Sequence, residues 1–158
     1  MSAYKTLNEM PAGQAGDITR VDGLIIEPRF YKNNSVDVEP GRALEFASDG
    51  SVQYVTSGTA TIGFSTRSYP QGSGCPESTK VPAGRAVGVM RKGHMLVKCT
   101  NGTPVAGKAV HLYKSTQGGH NAGEFSADTD SSYTSQLAGV YWSANGVSAD
   151  KLAEIEIL

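Results

Sequence analysis

The stretch Val81-Pro82-Ala83-Gly84-Arg85-Ala86-Val87-Gly88-Val89-Met90-Arg91-Lys92-Gly93-His94-Met95-Leu96-Val97-Lys98-Cys99 decides the reading of the fold. Ala86 to Met90 is small and β-branched, and Met95, Val97 and Cys99 alternate with Leu96 and Lys98, the two-residue period of a strand. Arg91-Lys92-Gly93 between them is charged and carries the glycine that tight turns need. Period and punctuation together predict a β-hairpin, two extended segments joined at Arg91-Lys92-Gly93.

Outward from this centre the same grammar repeats. Pro40-Gly41-Arg42-Ala43-Leu44, Pro82-Ala83-Gly84-Arg85-Ala86-Val87 and Pro104-Val105-Ala106-Gly107-Lys108-Ala109-Val110 each set a proline, a glycine and a cation ahead of a small-then-branched pair. Pro and Gly make the turn, the cation stays wet, and Ala lets two backbones approach before Val or Leu enters the core. The irregular spacing makes this a repeated turn device and not a solenoid repeat. Val21 to Ile26 reads as the first strand, interrupted by Pro28. Val36 and Val38, Ala43 to Phe46, Val52 and Tyr54, Ile62 and Phe64, Ala109 to Tyr113, Val140 to Trp142 and Ala153 to Ile157 read as further strands, with Asp49-Gly50 and Asn101-Gly102 as hairpin signals. The last of these carries enough apolar weight to be central. Tyr69 to Lys80 and Gln117 to Gln136 read as surface loops, the second pinned only by Phe125 and Tyr133.

The chain has 158 residues, with 14 Lys+Arg against 15 Asp+Glu and a formal net charge of -1. That length suits one core, and no basic stripe of the kind phosphate binding requires is present, so nucleic acid is not an expected partner. Only 18% of residues are charged while 19 are glycine, a composition of turns and small cores and not of long amphipathic helices. The longest aliphatic run, Leu24-Ile25-Ile26, is far too short to span a bilayer, and no export signal opens the chain, which predicts a product made in the cytoplasm with no membrane partner. Cys75 and Cys99 are then expected as free thiols. The fold class is all-β: a single-domain antiparallel β-sandwich or partly closed, jelly-roll-like barrel over residues 21–158, with an extended N-terminal arm over residues 1–20.

Catalytic chemistry has little to work with. His94, His111 and His120 have no acid or nucleophile at a triad-like spacing, and Gly72-Ser73-Gly74 lacks the flanks of a nucleophile elbow. Neither C-x-x-C nor H-x-x-x-H occurs, and Asp128-Thr129-Asp130-Ser131-Ser132 fails as a calcium loop because Tyr133 and Gly139 stand where glycine and an acid are required. No catalytic residue, cofactor or metal is expected.

The order of these features resembles the structural cement, or capsid decoration, proteins of tailed bacteriophages. The resemblance rests on Pro11-Ala12-Gly13-Gln14-Ala15-Gly16-Asp17, the Pro40-to-Leu44 unit, Val89 to Val97, Ala106 to Tyr113, Gly123-Glu124-Phe125 and Leu152 to Ile157, and it spans nearly the whole chain. It implies a non-enzymatic virion protein on the exterior of an HK97-like shell. Such a protein bridges neighbouring major capsid protein subunits and associates with itself as a homodimer or homotrimer. Irregular, polar segments are the expected contacts: Tyr4, Leu7, Met10 and Arg20 of the arm, Arg91, Lys92 and His94 of the turn, and Phe125 and Tyr133 of the long loop. The competing expectation is a carbohydrate-binding or host-attachment domain, with Tyr69, Tyr133, Tyr141 and Trp142 as a stacking platform.

Overall fold

The computed structural model describes residues 13–32, 36–55, 61–67, 80–129 and 132–158. Nine strands run through them: β1 (Ile18–Phe30), β2 (Ala43–Phe46), β3 (Val52–Tyr54), β4 (Thr61–Ser65), β5 (Ala86–Asn101), β6 (Ala109–Tyr113), β7 (Phe125–Ser126), β8 (Thr134–Trp142) and β9 (Leu152–Ile157). The all-β class holds, with no helix among the described residues. Every pairing is antiparallel except the short parallel one between β5 and β7.

The central hairpin does not form. Ala86 to Asn101 is one strand of 16 residues, and Arg91-Lys92-Gly93 shifts its pleat instead of reversing it. Val87 and Val89 face a smaller core with Tyr31, Val38, Leu44 and Val52. Met90, and then Met95, Val97 and Cys99, face the larger core with Phe64, Leu112, Phe125, Val140, Trp142 and Ile155. Met90 and Met95 are five apart, an odd interval, so an unbroken two-residue period would send them to opposite faces. The irregularity lies at Gly93, which is buried with φ 129° and would place a Cβ 3.0 Å from Leu24 Cδ1. A glycine read as the pivot of a turn is the pivot of a bulge-like change of face.

This long strand joins the two halves of the molecule. Its first half pairs with β4, which continues through β2 to β3. Its second half pairs with β9 from Gly93↔Ile157 to Lys98↔Leu152. β9 pairs with β8, β8 with β6, β6 with β7, and β7 returns to β5 at Cys99↔Phe125, so this half is a partly ring-like arrangement. β9 is central, as its apolar alternation predicts. Burying large side chains such as Trp142, Phe64 and Phe125 contributes about 1.5–3 kcal/mol each.

Other expectations shift by a few residues. The first strand starts at Ile18 and runs through Pro28 to Phe30, because β1 has only one neighbour and the missing N–H faces away from it. Val38 makes an isolated bridge to Val81 in place of a strand. The loop expected from Gln117 to Gln136 holds β7 and the start of β8. The three Pro/Gly/cation units do open β2, β5 and β6, each strand starting at its alanine, with Gly41, Gly84 and Gly107 at φ of 72°, 75° and 79°. Arg42 is the exception to the wet cation: it donates to Ala122 O at 3.1 Å and lies over the Tyr54 ring at 5.2 Å. Cys99 is a buried free thiol, its pKa raised by burial. Cys75 lies outside the described residues.

Candidate interaction surface

The anticipated contact residues fall into three groups. Tyr4, Leu7, Met10 and, from the alternative platform, Tyr69 lie outside the described residues. Arg20, Arg91, Lys92 and His94 come together around the crossing of β1 and β5, where Arg20 is paired with His94 and Ile25 with Lys92. Phe125 and Tyr133 stand apart from them, on β7 and just before β8.

Each side chain of the second group has a neighbour or an open position. Arg20 donates to Glu154 at 3.1 Å, its own side chain half exposed while the carboxylate is 1% exposed. Thr19 Oγ1 and Ser143 Oγ also donate to that carboxylate. Burial pushes the Glu154 pKa up, but the hydroxyls of Ser143 and Thr19 and the charge of Arg20 outweigh it, and the net shift is downward. Arg91 reaches Glu27 Oε2 at 3.4 Å, and Arg29 holds the same oxygen at 2.7 Å. Lys92 is exposed. His94 is largely covered, with Nε2 3.7 Å from Glu156 Oε1.

Phe125 is not a surface residue. It is 1% exposed in the larger core, its ring 5.8 Å from that of Phe64. The two-residue strand β7 carries it inward, because closing the ring of strands needs an apolar plug there. Trp142 is likewise 1% exposed, which removes the centre of the stacking platform expected for carbohydrate binding. Tyr133 and Tyr141 are half buried.

The sequence places a strand at Val21 to Ile26 but does not mark β1 as a surface. This strand pairs on one side only, with β5, and carries five of the large apolar side chains left exposed: Ile18, Val21, Ile25, Ile26 and Phe30. The register jumps from Arg20↔His94 to Ile25↔Lys92, so Val21, Asp22 and Gly23 bulge outward, Val21 being 77% exposed. The signal was present in Val21 to Phe30, a run with apolar residues at both parities, which a strand buried on one face does not need. Among the described residues no group of His, Cys, Asp and Glu is placed to hold a metal.

Residues 1–157 match the model of the XM1 gp53 minor capsid protein family. The chain belongs to that family. Membership of the XM1 gp53 minor capsid protein family makes it a bacteriophage capsid-associated protein, a structural component of the virion. A chain of the capsid of the Myoviridae phage XM1 has the same fold, with a TM-score of 0.68 over 97% of this chain and 94% of that one at 15% sequence identity. No curated protein matches the sequence.

Proposed function

We propose that this minor capsid protein is a cement protein: it binds the outer surface of an HK97-like shell, bridges neighbouring major capsid protein subunits and stabilises the shell. The observation that carries this reading is the family match along residues 1–157, on a fold whose edge strand β1 is paired on one side only, with β5, and carries exposed apolar side chains. A single weak contact per subunit suffices when one copy engages two neighbours, since the second contact is made at high effective concentration. Contact falls to the arm with Tyr4, Leu7 and Met10, and to Arg20, Arg91, Lys92, His94 and Tyr133. The protein associates with itself as a homodimer or homotrimer, is made in the host cytoplasm and has no enzymatic role.

The test is co-sedimentation of the purified protein with expanded, undecorated shells of the phage that encodes it, followed by heating. Saturable binding that raises the temperature of shell disruption is the expected result. Binding that saturates without changing that temperature would leave a decorating protein that does not cement, and no binding would remove the proposal.

A further inference from the structure

The outward face of β1 and the start of β5 is an apolar docking surface, and we infer that its occupant is an uncharged, apolar patch on the shell, not a second copy of this chain. The inference rests on the cement reading and locates its contact. Tyr31 N donates to Arg85 O at 3.0 Å and Gly84 N donates to Tyr31 O at 3.2 Å, so the backbone of Tyr31 faces β5. The pairing is regular from Ile26↔Met90 to Phe30↔Ala86, and alternation therefore turns Glu27 and Arg29 toward β5 and Ile26, Pro28 and Phe30 away from it. Pro28 has no N–H at the middle of that outward edge. A strand from another chain finds no continuous row of donors there, so main-chain addition is blocked and docking must use side chains.

The side chains are suited to it. Ile26 is 39% and Phe30 71% exposed, and Pro28 and Ala86 are exposed beside them. Opposite Pro28 stands Gly88, whose missing side chain leaves room for Thr66 Oγ1, 2.4 Å from where a Cβ would lie, and for Ile26 Cγ2 at 3.5 Å. None of these residues is charged, and the nearest acid on the strand, Glu27, is held by both Arg29 and Arg91. A partner therefore needs no compensating charge. Size separates the two occupants. The four residues present on the order of 400 Å², an aromatic side chain alone bringing about 150–250 Å². A stable free dimer hides about 800 Å² on each partner. Half of that is too little to hold two free copies together and enough for one of several contacts made at once on a lattice.

The experiment is the shell-binding assay with Phe30→Glu and, as a milder change at the same exposed position, Phe30→Ser, each checked for an unchanged melting temperature and for its oligomeric state free in solution. The expected result is wild-type saturation, at least tenfold weaker binding by Phe30→Glu, a smaller loss for Phe30→Ser, and the oligomeric state of wild type for both. Wild-type binding matched by both variants would overturn this inference and leave the cement reading standing. A variant that changes the oligomeric state would assign the face to a second copy and overturn it too. Absence of wild-type binding would overturn the cement reading and this inference together.

Discussion

Glu154 takes its cover from residues far away in the chain. In Ala153-Glu154-Ile155-Glu156-Ile157 the two acids occupy the face opposite Ala153, Ile155 and Ile157. Glu156 remains half exposed, but Thr19 and Arg20 of β1 arrive over Glu154, joined by Ser143, and close it off. Such a contact lies at a sequence separation of 135 residues and leaves no local trace. Because the folded pKa is lowered from 4.5, the stabilisation is fully present above the ordinary carboxylate range and is lost as pH falls through the folded value. Glu154→Gln keeps the shape but not the charge, and should cost about 1–3 kcal/mol at pH 7. Urea denaturation of both proteins should show that gap narrowing toward pH 3, since only the wild type has a carboxylate to protonate. A gap independent of pH would mean that the charge on Glu154 contributes nothing.

At the scale of elements, β5 and β1 carry the fold's two departures from simple alternation. Composition and period correctly give strands on both sides of Arg91-Lys92-Gly93. They do not distinguish a turn from a change of face, because both call for a glycine and both interrupt the period. What decides is tertiary: β4 claims the first half of β5, β9 the second, and β1 runs beside both. Gly93→Ala should destabilise the protein by about 1–3 kcal/mol, because φ of 129° and the approach to Leu24 are both unfavourable for a Cβ. Gly107→Ala, also at positive φ but with open space around it, should cost about 1 kcal/mol. Equal losses in chemical denaturation would show that the Leu24 contact is immaterial. For β1, Pro28→Thr restores a donor between Ile26 and Phe30, and light scattering should then show more self-association with rising concentration than in wild type. Unchanged scattering would indicate that the edge is guarded by something other than Pro28.

At the scale of the whole molecule, the class, most strands and the turn devices that open β2, β5 and β6 were legible, because each depends on neighbours in sequence. The proposed contact surface was legible only in part. Exposed polar residues such as Arg91 and Lys92 can be nominated from composition, and Trp142 reads most simply as core, but Phe125 could not be assigned to the core without the ring of strands that encloses it. The apolar face of β1 needs the knowledge that this strand has a single neighbour. A domain held together by one shared strand, with its partners distributed on either side, can present such a face without exposing its cores. The measurement that bears most directly on the proposed role is a cryo-electron microscopy difference map between shells saturated with this protein and undecorated shells. The account predicts density on the exterior, spanning adjacent major capsid protein subunits, with β1 turned toward the shell. Density confined to the interior, or resting on a single subunit, would contradict it.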